Sequence, residues 1–310
     1  MSFELKAGEK LRRSLRSTVR KQLQRSETEF SRKHRGGRDG AVHESRKRLK
    51  RVRALVRLVR PAIGEKEFAR ENKEFRDAGR PLSEVRDAKV LVETLDKLTK
   101  AHEETVDLKR FSKVRRALRS NLKATRRRVL DEEDAFAKLA RIIRRARSRA
   151  KSWTGVPNRW PSLGAGLERT YDAGRTAMEK AVAEPTAESL HEWRKQAKYL
   201  RYQLEFISPL WVSRITELAE EADKMGTLLG DDHDLAVLEL RLKDEGACID
   251  DAEAITVVLA LAEGRRAELQ QEAILLGKRF FAEPSDAFAR QFRAYWKAWR
   301  GAEEPQLVGV

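Results

Sequence analysis

The chain has 310 residues, with 66 Lys/Arg against 49 Asp/Glu, a formal net charge of +17 and a pI near 10.1. Its 40% hydrophobic content is enough for a sizeable core, which excludes a basic disordered tail. Cys248 is the only cysteine, so an intramolecular disulfide and a cysteine-rich zinc site are excluded, and no apolar run approaches the roughly 20 residues that span a membrane.

The N-terminus, Met1-Ser2-Phe3-Glu4-Leu5-Lys6, lacks the apolar stretch of a signal peptide, so a cytoplasmic protein is expected. Hydrophobic periodicity then predicts helix after helix: 8–30, 41–60, 65–77, 84–100, 106–129 and 131–150. Ser31–Gly40, rich in Gly and Arg, reads as a cationic loop leading into the second helix. A Gly/Pro/Trp loop from Trp153 to Pro161 separates these from 163–183, 187–208, 211–228, 232–244, 250–281 and 285–300. Cys248 reads as a small residue near a helix end, and 301–310 as a disordered tail. Alternating β-branched runs joined by Asn-Gly turns are absent, so the fold class is all-α.

Two of these helices carry one charge pattern, 148 residues apart. Val42–Arg53 and Leu190–Arg201 both fit His-Glu-x-Arg-Lys-x-x-Lys-x-x-Arg, and each run closes on a proline, Pro61 or Pro209. At about 100° per residue, His43, Arg46, Lys47, Lys50, Arg53 and Arg57 share one side of the first helix, opposite Leu49, Val52, Val56 and Val59. In the second, His191, Arg194, Lys195, Lys198 and Arg201 lie opposite Trp193, Ala197, Leu200 and Leu204. Solvated helix faces usually alternate Glu with Lys, which stabilises by ~0.2–0.5 kcal/mol per pair. Like charges are stacked here instead, twice, which points to an anionic partner.

A second pair of segments supports a duplication: Val85–Leu91 aligns with Asp232–Leu238 at an offset of 147, placing Asp87 against Asp234. These two carboxylates read as caps or structural partners of a nearby Arg or His. Charge is uneven as well. Residues 1–151 hold 46 Lys/Arg against 22 Asp/Glu, and residues 152–310 hold 20 against 27. The first half therefore supplies most of the long-range attraction for a polyanion.

The paired His-x-x-Arg-Lys helices, the Arg86-Asp87-Ala88 segment, Leu276–Pro284 and Tyr295-Trp296-Lys297-Ala298-Trp299 together resemble the CHAD domain, over about residues 5 to 300. The resemblance implies two pseudo-symmetric helical bundles, residues 1–151 and 162–300, packed around a basic central groove. It also implies binding of inorganic polyphosphate, often at polyphosphate granules, with phosphate contacts from His43, Arg46, Lys47, Lys50, Arg53, His191, Arg194, Lys195, Lys198 and Arg201. Arg57, on the same stripe, joins this set. Gln196, Tyr199, Tyr202 and Glu205 replace Arg48, Arg51, Ala54 and Arg57 of the first copy, so the second stripe should be narrower. Candidates for extending the groove are Arg12, Arg16, Arg20, Arg115, Arg119, Lys123, Arg126, Arg169, Arg175 and Arg279.

Two rivals stand beside this reading. A phosphohydrolase would need carboxylates holding a divalent metal. His233-Asp234 offers half of such a site, but Arg86 stands where the first copy would repeat His233. A basic helical protein also binds nucleic-acid backbones non-specifically through phosphate contacts. No helix-turn-helix or zinc-finger signature accompanies the charge. The expectation is a non-catalytic polyphosphate binder without cofactor or metal.

Overall fold

A computed structural model describes residues 3–31, 37–150, 155–245 and 249–303. Cys248, residues 32–36 of the cationic loop, Trp153-Thr154 and 304–310 of the tail lie outside the described residues. The described residues form eleven α-helices and no strand: α1 (Leu11–Ser31), α2 (Gly37–Leu58), α3 (Arg60–Ile63), α4 (Glu65–Ala101), α5 (Ser112–Arg126), α6 (Ala135–Arg149), α7 (Pro161–Ala183), α8 (Ala187–Ile207), α9 (Val212–Glu245), α10 (Ala252–Phe280) and α11 (Ser285–Glu303). The cationic loop ends sooner than expected, because α2 already begins at Gly37, and α11 continues through residues 301–303.

Two expected breaks are not breaks. Residues 65–77 and 84–100 belong to one helix, α4, although Pro81 stands inside it. A mid-helix proline removes a hydrogen bond and costs about 3 kcal/mol. Phe68, Phe75, Leu82, Val85, Leu95 and Leu98 are buried along this helix, and each such side chain gains about 1.5–3 kcal/mol from burial. Packing therefore outweighs the proline. Likewise 211–228 and 232–244 form one helix, α9, running through Gly226 and Gly230. Near the end of the first half the chain does turn: six residues of π-helix, Arg127–Glu132, follow α5, and Asp134 (φ 48°) caps α6 by accepting from the Ala137 amide at 3.4 Å.

The centre is a ring of four helices. α2 packs on α4, α4 on α9, α9 on α8 and α8 back on α2, so each half contributes two sides. The apolar stripes expected from sequence face the core: Leu49, Val52, Val56, Trp193, Ala197, Leu200 and Leu204 are all buried. One apolar cluster runs from Phe3 to Trp296 and takes residues from both halves.

The two halves meet closely where α7 crosses the end of α2. A Cβ on Gly166 would lie 1.9 Å from the Leu58 carbonyl oxygen, so only glycine allows the approach. Gln203 then bridges the halves, donating to the Ala54 carbonyl (3.3 Å) and to Thr170 (3.0 Å). Because the obstruction at Gly166 is backbone, Gly166→Ala should destabilise by about 1–3 kcal/mol. Gly264→Ala, also in a helix interior but facing open space, should be neutral or stabilise by about 0.5–1 kcal/mol. Urea midpoints of the two variants against the unaltered chain check this.

Candidate functional site

Inside the ring lies a cleft of about 570 Å³. α2 contributes His43, Arg46, Lys47, Lys50 and Arg53 to its wall, and α8 contributes His191, Arg194, Lys195, Lys198 and Arg201. Ten of the eleven residues on the two expected stripes therefore face one space. Arg57 does not line it. Its guanidinium lies over the Tyr199 ring (4.3 Å) and beside Phe68 (5.4 Å), and donates to Asn72 (3.3 Å). Arg57 is held among aromatic faces one turn beyond the cleft.

The remaining sides come from α4 and α9, which supply Ser83, Arg86, Asp87, Asp223, Thr227, His233 and Asp234. Charge counting on α2 and α8 alone does not reach Arg86 and His233. The aligned segments 85–91 and 232–238 were the signal, because they place these two residues at matching positions. His233 meets His191 across the cleft, with ring centroids 4.6 Å apart. α9 comes close because its glycines make room: Cβ atoms on Gly226 and Gly230 would lie 3.3 Å from Lys198 Cγ and from Arg194 Nε.

The charges inside are weakly compensated. Among the described residues, His43, Arg46, Lys47, Lys50, Arg53, Arg194 and Lys198 form no ion pair with a carboxylate. Arg46 instead donates to the Ser83 hydroxyl and the Gly79 carbonyl (3.5 Å), and Arg53 to the Asn72 side-chain carbonyl (3.2 Å). Two cations of α2 that point elsewhere do have carboxylates. Arg48 pairs with Glu29 at 2.8 Å, and Arg51 with Glu205 at 3.0 Å. The second stripe is partly neutralised: Lys195 pairs with Glu192, and Arg201 pairs with both Glu205 (2.9 Å) and Asp223.

Proton affinities record this crowding. Burial, then repulsion from Arg194, brings Lys198 down to about 8. Burial and the neighbouring Lys198 push Lys50 well below the ordinary lysine range. Burial, with Arg194 next, lowers His233 to about 4. His43 and His191 are lowered by partial burial and then by Arg86 and Arg194 respectively. Burial raises Asp87 and Asp234 in spite of the cations around them. At neutral pH the three imidazoles are therefore neutral, each able to donate one N–H or take up a proton.

The ten further cations do not line this cleft. Arg115 and Arg119 lie beside Asp96, Arg126 binds Asp39, and Arg175 pairs with Glu179 (3.1 Å). Arg12, Arg20, Lys123, Arg169 and Arg279 are exposed and Arg16 is half-buried, all outside the cleft wall. Helix-surface spacing identifies cations but not the neighbour each one meets. A larger cavity, about 670 Å³, lies between α4, α9 and α10. There Lys97 and Arg265 are offset by Asp231 and Glu268, so it has no comparable preference for anions. Among the described residues no group of three or more His, Cys, Asp or Glu is placed to hold a metal ion, and no helix is long and apolar enough to cross a membrane.

The sequence profile of the CHAD domain matches residues 8–243. Two uncharacterized proteins of Mycobacterium tuberculosis, from strains CDC 1551 / Oshkosh and ATCC 25618 / H37Rv, are 28% identical over 248 residues, which is 74% of this chain. The match spans 45% of their length, so this chain corresponds to less than half of either protein. The crystal structure of the CHAD domain from the plant Ricinus communis superposes with a TM-score of 0.66 at 16% identity, covering 91% of this chain and 95% of that one. That likeness is one of fold.

Lys198 destabilises the free protein while it is charged. Its folded value near 8 lies below its ordinary 10.5, so the penalty is complete below pH 8 and gone above pH 10.5. Lys198→Met should therefore melt above the unaltered chain at pH 7, on the order of 2 °C or more, with the gain shrinking toward pH 10.5. Thermal unfolding across this pH range measures it.

Proposed function

This chain belongs to the CHAD domain family, and we propose that it binds inorganic polyphosphate in the cleft between α2 and α8 without hydrolysing it. The observation that carries the reading is one space lined by cations from two helices, most of them without a carboxylate partner. Water and mobile counter-ions screen such charges poorly, and a linear polyanion supplies the missing negative charge along a line. Arg46, Arg53 and Arg194 can grip phosphoryl oxygens in pairs of hydrogen bonds. Lys47, Lys50 and Lys198 act as point charges that follow the ligand as it shifts. The α2 stripe carries more of the contact, because Lys195 and Arg201 must first leave their carboxylates.

Binding should also draw in protons. A polyanion favours the charged forms of Lys50, Lys198, His43, His191 and His233, all of which are lowered in the free protein. Affinity therefore falls as pH rises, and association near pH 7.5 takes up protons. Titration calorimetry in buffers of different ionisation enthalpy reads the number directly. A value of zero would mean that the ligand binds outside the cleft.

The non-catalytic part of the proposal rests on the carboxylates. Asp87 and Asp234 lie among Arg46, Arg86 and Arg194, and these repel the divalent metal that phosphate hydrolysis usually employs. Nucleic acid remains the comparison ligand. Tyr199 and Tyr202 line the cleft but are buried, at 4% and 5% exposure. Their faces are already covered by Arg57, Arg53, Arg201 and Arg51, so bases have no free stacking platform. Concentration at polyphosphate granules follows from the same affinity.

Replacing Arg46, Lys50 and Arg53 with Gln together should weaken long-chain polyphosphate binding by about 100-fold or more, at roughly 1–3 kcal/mol for each charge-assisted contact. The same change at Lys224 and Lys243, on the acidic half, should cost under about threefold. Affinity should rise from triphosphate to long chains as both stripes become engaged. Single-stranded RNA that outcompetes polyphosphate at equal phosphate concentration would instead favour a nucleic-acid binder.

A further inference from the structure

The cleft is not a closed end. Arg46, Lys50, Arg53 and Ser83 line it on one side, and the same four residues line a second cavity of about 330 Å³ between α2 and α4. Beyond them the second cavity is bounded by Arg76 and Arg80 of α4, both exposed. Among the described residues its one carboxylate is Asp77, also exposed, which holds Arg76 at 3.0 Å and Lys73 at 3.6 Å. Arg53 feels the charge of both Arg76 and Asp77, so the two cation groups are electrostatically continuous. Arg80 has no ion pair among the described residues.

From this geometry we infer that the α2–α4 cavity is a second anion subsite, through which a polyphosphate chain held in the cleft continues past Arg46 and out along Arg76 and Arg80. The inference rests on the polyphosphate reading of the cleft. The boundary between the cavities is where Arg46 donates to Ser83 and Gly79. Both are neutral acceptors, and a phosphoryl oxygen replaces them with an acceptor of opposite charge. An internal stretch of chain, not only a terminus, is thus accommodated. Chains long enough to fill both cavities gain the additional contacts.

Direct binding of inorganic polyphosphates of graded length to Arg76→Gln/Arg80→Gln tests this. Both side chains are exposed, so folding is not at stake. Chains too short to leave the cleft should bind within about twofold of the unaltered protein. Long chains should lose about three- to tenfold, with the salt slope falling by about 0.7 for each cation removed. Asp77→Asn should do the opposite and strengthen long-chain binding alone. Arg141→Gln/Arg145→Gln, which removes equal charge from α6, should leave the length dependence unchanged.

Equal loss at every length would reduce Arg76 and Arg80 to general field and overturn the subsite, as would no loss at any length. Failure of the unaltered protein to bind any polyphosphate would instead overturn the cleft reading on which the subsite rests.

Discussion

Like charge gathered where little water can reach it is the constraint that the rest of this molecule answers to. Lys50, Lys198, Arg46 and Arg194 share one cleft, and the proton affinities of all four are lowered by burial. At an effective dielectric near 20, two cations about 4 Å apart repel by about 4 kcal/mol, and even wider pairs oppose the approach of α2 to α8. The opposing force is apolar and lies directly behind the charges. Trp193, Leu200, Leu204, Val52 and Val56 are buried on the reverse faces of the same two helices, at about 1.5–3 kcal/mol each. Glu205 fastens Arg51 of α2 to Arg201 of α8, and the Gly166–Leu58 crossing lets α7 reinforce the joint. Each helix is a two-sided element: its core face holds the charged face where it would not otherwise stay.

Much of this was legible in the sequence, and the reasons can be given residue by residue. The duplicated His/Arg/Lys pattern specifies both the helix type and the face, since charges at i, i+3, i+4 and i+7 have one geometric meaning on an α-helix. Ten of the eleven stripe residues reach the cleft for that reason. Arg57 marks the limit of helix-face geometry. It lies on the correct side of its own helix, yet Tyr199 from α8 and Phe68 from α4 take its guanidinium. A helical wheel contains no information about the next helix. Arg115 and Arg126 likewise lie beside carboxylates of other helices, Asp96 and Asp39, that their own helix does not reveal.

The helix boundaries carry a related lesson. Pro81, Gly226 and Gly230 are breakers by local propensity, yet α4 and α9 run through them. At α9 the glycines serve the neighbouring helix: Lys198 and Arg194 occupy the space where side chains at 226 and 230 would stand. The residues that weaken α9 locally are those that admit the cations of α8. Local and tertiary requirements conflict at the site itself, where such conflicts are expected to concentrate.

The partners of the cations on α2 differ between those that face the cleft and those that do not. Arg48 and Arg51, which lie off the cleft, are tied to the carboxylates of Glu29 and Glu205. Arg46 and Arg53, which face it, rest on a hydroxyl, a backbone carbonyl and an amide oxygen. The donor is a guanidinium in every case, and a carboxylate acceptor adds the attraction of opposite charge that a hydroxyl, carbonyl or amide oxygen lacks. On the proposed reading a phosphoryl oxygen would displace neutral acceptors at Arg46 and Arg53, but carboxylates at Arg201, where Glu205 and Asp223 already sit. Neutral acceptors keep the arginine side chains in defined positions while leaving their charge uncompensated. A carboxylate at Ser83 or Asn72 would order the same arginines more firmly and would remove the reason for an anion to enter.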